Sequence, residues 1–193
     1  MLTFPDSLER AFSRNPVVAA LYGREQLIKF LDSTSDVCII ANVALQDLGP
    51  LVGALSANDK FAFVNIDSCS GLAQDKGAVE YLKKIGAPGI VTTRVSLIQK
   101  ANSLGMVTMQ KVFVTDRSNL PRSVTAVEQS RPHLVQLMPW PVVPYIEKEE
   151  LRALSPFIVG GFVAGKSDVA AALAAGAKGV STSDIGMWVR REA

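Results

Sequence analysis

Short apolar runs rich in β-branched residues recur along the whole chain. Eight of them start at residues 16, 37, 61, 89, 106, 133, 157 and 178, so successive runs start 17 to 28 residues apart. They are apolar throughout and do not alternate with polar residues, which is typical of strands covered on both faces. The pattern therefore predicts eight strands of a parallel β-sheet.

Helical patterns fill the segments between these runs. In "REQLIKFLDS" the spacing puts Leu27, Phe30 and Leu31 on one face, and "GAVEYLKKIGA" and "SLIQKANSLG" close on glycines that commonly end helices. "KSDVAAALAAGA" starts with a capping pair and stops at Gly176. A further short helix is predicted from Asp6 to Phe12, ahead of the first strand.

Two architectures are compatible with alternating strands and helices. An open doubly wound sheet usually has fewer strands and a glycine-rich nucleotide fingerprint after the first one, but the corresponding "ALYGREQ" has a single glycine. A closed (β/α)8 barrel uses all eight units, and 193 residues lie just below its usual size. We therefore predict an α/β fold in which residues 1–193 form a single small, closed (β/α)8 TIM-like barrel domain with a short N-terminal helix.

Composition narrows the range of partners. The chain has 20 basic and 18 acidic residues, a net charge of +2, which predicts no strong long-range attraction to nucleic acid. Its longest apolar runs, such as "VCIIA", are too short to span a membrane. The two cysteines, Cys38 and Cys69, cannot form a disulfide framework. We expect a cytoplasmic protein with no membrane partner.

The stretch "GGFVAGKS" matches the G-x-x-x-x-G-K-S pattern of a nucleotide-binding P-loop. In P-loop proteins this motif usually follows the first strand, and a magnesium-binding aspartate lies on a later strand. Only 26 residues (193 − 167) follow Ser167, and they contain one strand without such an aspartate. We interpret the match as coincidental and expect "GKS" to begin the helix after strand 7.

A barrel offers another origin for the same residues. Barrels commonly hold a phosphate with the loops after strands 7 and 8. Gly160 and Gly161 end predicted strand 7, where the lack of a Cβ lets an oxyanion approach the backbone. Ser181, Thr182 and Ser183 end strand 8, and a helix is expected to start directly afterwards. The two groups together predict one phosphate site.

Other polar residues lie in or follow predicted strands 3 to 6 and are expected to surround the ligand. Asp67 could accept hydrogen bonds from ligand hydroxyls, and Arg94 or Lys111 could add positive charge. Gln110 and Lys111 lie together in strand 5, and Gln136 lies in strand 6. The predicted ligand-binding residues are therefore Asp67, Arg94, Lys111 and Gln136.

Catalytic equipment is sparse in the sequence. The only histidine, His133, lies at the start of strand 6, at the end opposite the expected site. No histidine-dependent triad or histidine metal cluster can be built. We predict no catalytic residues, no metal and no cofactor.

The sequence resembles the glycerol uptake operon antiterminator family from about Asn15 to Trp188. The resemblance rests on an ordered set of segments: "NPVVAAL", "FVNIDSCSGL", "GIVTTRVSLIQKANSLGMVTMQKVFVTD", "VQLMPW", "VGGFVAGKSDVAAALAAGAKGVSTS" and the following "MW". It implies a cytoplasmic (β/α)8-like protein that binds glycerol 3-phosphate, acts on leader mRNA and lets transcription pass a terminator.

The resemblance also implies residue roles. The glycine pair of strand 7 and the hydroxyl group of strand 8 would hold the phosphate, Asp67 matches an aspartate of the family pattern, and Arg94 and Lys111 match basic residues. Three positions depart from the pattern and bear on ligand identity more than on fold: Asn65 in place of histidine, Gln136 in place of glutamate, and Trp140 in place of glycine.

Three functions stay open at this point. The first is a ligand-responsive regulator whose partner is leader mRNA and which could form a homo-oligomer. Its RNA-binding residues are unknown, although the arginines at positions 117, 122, 190 and 191 could contribute. The second is an enzyme of isomerase, aldolase or prenyltransferase type acting on a small phosphorylated substrate. The third is a metabolite-binding protein whose partner is another protein.

Overall fold

The computed structural model describes residues 1–188, which contain a closed barrel of eight parallel strands. Neighbouring strands pair in chain order, and the eighth pairs with the first. This confirms the predicted barrel. The strands are β1 Val17–Tyr22, β2 Val37–Ala41, β3 Phe61–Asn65, β4 Gly89–Thr92, β5 Val107–Phe113, β6 Leu134–Met138, β7 Phe157–Gly160 and β8 Gly179–Thr182.

Helices alternate with these strands, as the sequence predicted. They are α1 Asp6–Arg14, α2 Leu27–Leu31, α3 Leu45–Ala57, α4 Lys76–Lys84, α5 Val95–Ser103, α6 Leu120–Ser130, α7 Lys148–Ala153 and α8 Lys166–Ala174. The first of them confirms the N-terminal helix and extends two residues beyond the predicted end at Phe12. Short 3-10 helices occur at Arg24–Gln26, Trp140–Tyr145 and Ile185–Met187.

Helix α1 closes the N-terminal end of the barrel. Its buried Leu8 and Phe12 belong to the same apolar cluster as Val18 and Val37, which lie in the first residues of β1 and β2. A Cβ added at Gly179 would lie only 3.1 Å from the Phe12 ring, so glycine is needed where helix and strand meet. With this end covered by α1, the opposite, C-terminal end is left for a ligand.

Strands buried on both faces explain the continuous apolar runs. On β2, Ile39 belongs to the inner cluster, whereas Cys38 and Ile40 pack outward in a cluster that includes Leu48 and Leu51 of α3. Burying a side chain of this size contributes about 1.5–3 kcal/mol. The same alternation decides which polar residue on each strand can reach the open end.

The prediction of a helix directly after β8 is wrong for the residues up to 188, where the chain forms a short 3-10 turn instead. Asp184 accepts a hydrogen bond from the Gly186 N–H at 2.9 Å and starts a single 3-10 turn, which ends before the fully buried Trp188. The Trp188 ring packs edge-on against Phe30 and donates its indole N–H to the Thr182 carbonyl at 2.9 Å. Trp188 therefore fastens the end of β8 to the outside of the barrel. The expected Arg190 and Arg191 lie outside the described residues.

Candidate functional site

A small cavity of about 180 Å³ lies at the C-terminal end of the barrel. Pockets for drug-sized ligands usually measure about 300–1,000 Å³, so this one suits a smaller molecule. Its lining combines apolar, amide, hydroxyl and cationic groups. The lining residues are Ala20, Tyr22, Ile39, Ala41, Asn65, Lys111, Gln136, Met138, Gly161, Phe162, Val163, Ser181, Thr182 and Ser183.

Gln136 and Ser181 form the buried polar centre of this cavity. The Gln136 amide Nε2 donates to Ser181 Oγ at 2.9 Å, and that hydroxyl donates to the Val159 carbonyl at 3.1 Å. Both side chains are almost fully buried. The other amide atom, Gln136 Oε1, is buried and has no hydrogen-bond partner among the described residues. A buried acceptor without a donor costs about 1–3 kcal/mol, a cost that a bound hydroxyl would relieve.

The glycine pair after β7 makes room for this centre. A Cβ at Gly160 would overlap Ser181 Oγ and would lie 3.3 Å from Gln136 Nε2. Gly161 has a φ of +76°, a left-handed conformation that favours glycine, and its carbonyl accepts the Trp140 N–H at 3.2 Å. The two glycines therefore have different tasks: Gly160 leaves space inside the barrel, and Gly161 turns the chain at the cavity.

The three hydroxyl residues at the end of β8 line the same cavity. Ser181 and Thr182 are buried, whereas Ser183 is exposed. Thr182 Oγ1 accepts the Asp184 N–H at 3.1 Å, which orders the turn after the strand. The structure thus brings Gly161 and the three hydroxyl residues to one cavity, and Gly160 lies directly behind Ser181.

Lys111 supplies the cation of the cavity. The β5–β6 register pairs Lys111 with Gln136, so the ammonium and the amide come from neighbouring strands. Burial lowers the pKa of Lys111, and the nearby Asp67 carboxylate opposes that shift. Its Nζ lies 5.9 Å from the centre of the Phe113 ring, within range of a cation–π contact. The preceding residue, Gln110, faces the helices and bonds Ser130 instead.

Asp67 and Arg94 do not line the cavity. The two oxygens of Asp67 accept from Thr92 Oγ1 at 2.6 Å and from the Thr93 N–H at 2.7 Å, so this carboxylate joins the ends of β3 and β4. Arg94 is exposed and donates to Gln74 Oε1 at 2.5 and 3.1 Å. Both follow strands at the C-terminal end of the barrel, and Asp67 interacts electrostatically with Lys111, which lines the cavity.

The letters "GKS" begin α8, as expected. Gly165 precedes the helix, Lys166 is its exposed first residue, and Asp168 accepts the Ala164 N–H at 2.7 Å. Lys166 does not line the cavity, so the lysine of the P-loop match takes no part in it.

Among the cavity residues that the sequence analysis missed, two are aromatic. Tyr22 ends β1 and Phe162 follows the glycine pair, and both line the cavity with exposed rings. An aromatic residue at the C-terminal end of a strand could have indicated a place at the cavity. Whether its ring points into the barrel or away from it depends on the register of the strands, which the sequence does not give. No group of three or more His, Cys, Asp or Glu side chains suited to a metal ion occurs within residues 1–188. No helix in that range is long and apolar enough to cross a membrane.

Known proteins similar to this chain share its fold and family. A solved structure of the glycerol uptake operon antiterminator regulatory protein from Listeria monocytogenes str. 4b F2365 is 26% identical, with a TM-score of 0.87 over 97% of this chain and 98% of that one. An antiterminator-related protein from Thermotoga maritima MSB8 is 23% identical and has the same fold, with a TM-score of 0.78 over 89% of this chain and 96% of that one.

A curated relative, the uncharacterized protein YgcP of Escherichia coli (strain K12), is 26% identical over 178 residues, which are 91% of this chain and 92% of that protein. The sequence model described as "Glycerol-3-phosphate responsive antiterminator" matches residues 17–188, from the first strand to the buried Trp188. Because that match spans the entire barrel, this protein belongs to the glycerol-3-phosphate responsive antiterminator family.

Proposed function

We propose that this protein binds glycerol 3-phosphate in the C-terminal cavity and, in response, acts on the leader mRNA of glycerol-uptake genes so that transcription passes a terminator. The observation that carries the ligand assignment is the buried, unpartnered Gln136 Oε1. It lies in a small cavity that also holds an ammonium group and three consecutive hydroxyl residues. No cofactor is needed for this role.

The phosphate would bind at the wall formed by Gly160, Gly161 and Ser181–Ser183. Hydroxyl groups donate to phosphate oxygens, and a glycine backbone lets an anion come close. Of the three hydroxyl residues, only Ser183 is exposed. Its side chain can therefore bind the ligand without breaking a hydrogen bond inside the protein. This assignment keeps the site predicted from the sequence.

The glycerol hydroxyls would bind at Gln136 and Lys111. A hydroxyl can donate to the free Gln136 Oε1 and accept from the Lys111 ammonium at the same time. Asp67 would act indirectly, since its carboxylate favours the charged form of Lys111. Arg94 would contribute positive charge at the cavity mouth, where it has no carboxylate partner within residues 1–188.

Thermal unfolding tests the ligand assignment directly. A ligand at 100 times its Kd stabilises the folded state by about 2.7 kcal/mol, which corresponds to roughly 5–10 °C in a domain of this size. Glycerol 3-phosphate should produce that shift, whereas glycerol, inorganic phosphate and Mg-ATP should not at equal concentration. A shift with Mg-ATP alone would contradict the assignment.

Transcription in vitro tests the regulatory half. A template carrying a glycerol-uptake leader and its terminator should give more full-length RNA when protein and glycerol 3-phosphate are both present. The same template with the terminator but an unrelated leader is the control. Ligand binding without any change in readthrough would separate the two halves and would refute action on leader mRNA.

One observation favours an enzyme as the second candidate. A half-buried lysine with a lowered pKa in a phosphate-sized cavity can attack a carbonyl group, as in imine-forming enzymes. Lys111 would then form an imine with dihydroxyacetone phosphate, with loss of water, and borohydride would reduce that imine to a stable amine. Mass spectrometry would detect the resulting three-carbon adduct on Lys111. Absence of that adduct, together with stabilisation by glycerol 3-phosphate, would favour the regulator.

A further inference from the structure

The exposed aromatic side chains gather at one end of the molecule. Within residues 1–188, four aromatic side chains are exposed, and all four follow or end strands at the C-terminal end of the barrel. They are Tyr22, Phe113, Tyr145 and Phe162, with exposed fractions of 46%, 51%, 71% and 82%. We call these four residues the aromatic rim. Aromatic rings in water lose the stabilisation that burial provides, so a cluster of them marks a surface that another molecule covers.

Phe162 is also held in an unfavourable backbone conformation. Its φ is +56°, in the left-handed region, which costs a residue with a side chain about 1–2 kcal/mol. Asn42, Asp59 and Arg131 share that region, but Asn and Asp tolerate it because their short side chains bond locally, and Arg131 ends helix α6, where a left-handed residue is common. A strained backbone that presents an exposed ring beside a cavity points to a role for the ring outside the folded core.

The arginines at this end are free of carboxylates. The four ion pairs within residues 1–188 are Arg14–Asp36, Lys60–Asp36, Lys100–Glu80 and Lys178–Glu9, and none includes a residue of the C-terminal loops. Four exposed arginines at this end, in or just after the loops that follow β1, β4 and β5, have no ion pair within residues 1–188: Arg24, Arg94, Arg117 and Arg122. The exposed Arg10, Arg131 and Arg152, in or at the ends of α1, α6 and α7, have none either.

Several carboxylates at the same end accept hydrogen bonds from backbone N–H groups. Five aspartates each accept at least one such hydrogen bond, which partly offsets their charge: Asp67, Asp75, Asp116, Asp168 and Asp184. Hydrogen bonds from Ser118 and Asn119 lower the pKa of Asp116, next to Arg117. The four arginines therefore lie among aspartates whose charge is partly offset, and the exposed glutamates Glu25 and Glu147 are also at this end, in a chain that is nearly neutral as a whole.

We propose that the aromatic rim and the arginines around it bind single-stranded RNA. Bases would stack on the rim, and the phosphates would contact Arg117 and its neighbours, the arrangement that proteins use for single strands. A duplex hides its base faces, so it would not use the rim. Rings plus a few unpaired cations also fit a protein of net charge +2, because stacking needs no large basic patch. This inference rests on the proposed action on leader mRNA.

The geometry also couples RNA to the ligand. Tyr22 and Phe162 line the glycerol 3-phosphate cavity and belong to the aromatic rim, so the two ligands would share these residues. Phe113 is linked to the cavity through its contact with the Lys111 ammonium. If the ligand changes the affinity for RNA by some factor, RNA must change the affinity for the ligand by the same factor.

Fluorescence anisotropy with a labelled single-stranded leader segment, and with an oligouridylate of equal length, tests the inference. Loss of one stacked base weakens binding about 5- to 150-fold, and we expect that loss for Tyr145→Ala and Phe162→Ala. Tyr145→Phe keeps the ring and should bind like the wild type. Leu173→Ala is the matched control, because Leu173 is an exposed apolar residue near the end of α8, away from the rim.

Tyr145 separates this inference from the ligand assignment. It does not line the ligand cavity, so Tyr145→Ala should keep the thermal shift with glycerol 3-phosphate while it loses RNA affinity. For Arg117→Gln, the dependence of log Kd on log salt should fall by about 0.7. Unchanged RNA affinity in the rim variants, with the thermal shift retained, would overturn the inference and leave the ligand assignment standing. Equal loss in Leu173→Ala and Tyr145→Ala would also overturn it.

Discussion

Gln136 of β6 donates a 2.9 Å hydrogen bond to Ser181 of β8, although β7 lies between these two strands. The bond passes over Gly160, whose missing side chain leaves the space that Ser181 Oγ occupies. One amide, one hydroxyl and one glycine thus define the floor of the cavity. Each can be changed separately, and the expected effects differ.

Gly160→Ala should damage folding and ligand binding together. The new methyl group would overlap Ser181 Oγ and crowd Gln136 Nε2, so the bond between them must break or the strands must move. Overpacking of this kind costs about 1–3 kcal/mol of unfolding free energy. Urea unfolding and the thermal shift with glycerol 3-phosphate measure both effects.

Gly165→Ala is the control for that substitution. No atom lies within 4 Å of a Cβ at Gly165, and its φ of 175° is extended backbone that any residue adopts. Gly165→Ala should leave both the unfolding free energy and the ligand shift nearly unchanged. Equal effects of the two substitutions would mean that the space above Gly160 is unimportant.

Gln136→Leu should separate stability from binding. The change removes the unpartnered Oε1, which costs about 1–3 kcal/mol, and loses the bond to Ser181, worth about 0.5–1.5 kcal/mol. Ser181 keeps its bond to the Val159 carbonyl. The variant should therefore unfold at a urea concentration equal to or above that of the wild type, yet lose the thermal shift with glycerol 3-phosphate.

Gln110→Leu is the matched control, because Gln110 is an equally buried glutamine that faces the helices and bonds Ser130. Its loss should lower stability and leave the ligand shift intact. If Gln136→Leu instead lost stability and kept the ligand shift, the amide would be a structural group and the ligand would bind elsewhere.

Much of the barrel could be predicted because its strands are buried on both faces. A run such as "VCIIA" must be apolar at Cys38 and Ile40 toward α3 and at Ile39 toward the interior. The glycine pair of β7 and the hydroxyls of β8 could also be predicted, since barrel topology brings the ends of adjacent strands together. Gly161 and the three hydroxyl residues line the same cavity.

The remaining details depend on register and local capping, which a single sequence does not fix. Gln110 and Lys111 are adjacent, so only one can face the interior, and the pairing with β6 selects Lys111. Asp67 looked like a ligand group, but the Thr92 hydroxyl and Thr93 N–H occupy its oxygens. The turn after β8 is short because Asp184 caps it and Trp188 is buried behind it.

Lys111 should give stability and binding opposite dependences on pH. Burial puts its pKa in the folded state below the ordinary 10.5, so between the two values the unfolded chain binds more protons. The unfolding free energy therefore rises with pH across that window. Lys111→Met should lack this rise when urea unfolding is measured at several alkaline pH values.

Binding of the anionic ligand should weaken over the same window, because the folded protein loses the ammonium charge. Calorimetric titration of the wild type with glycerol 3-phosphate should show a Kd that increases with pH. A Kd that stays constant up to pH 10.5, with a stability slope equal to that of Lys111→Met, would show that Lys111 is not the cation of the site.

Phe162→Gly should stabilise the protein and impair its function. The substitution removes a left-handed conformation that costs about 1–2 kcal/mol, offset by about 0.5–1 kcal/mol for the greater freedom of glycine in the unfolded chain. The ring is 82% exposed, so little burial is lost.

Arg131, at the end of α6, has a φ of +51° and is a matched comparison, since glycine is the usual residue at such a position. Both Phe162→Gly and Arg131→Gly should raise the urea midpoint. Only Phe162→Gly should weaken RNA binding, because only that residue belongs to the aromatic rim. If Phe162→Gly instead lowered the urea midpoint well below that of Arg131→Gly, the Phe162 ring would stabilise the folded state. That result would contradict the view that the ring is exposed in order to bind RNA.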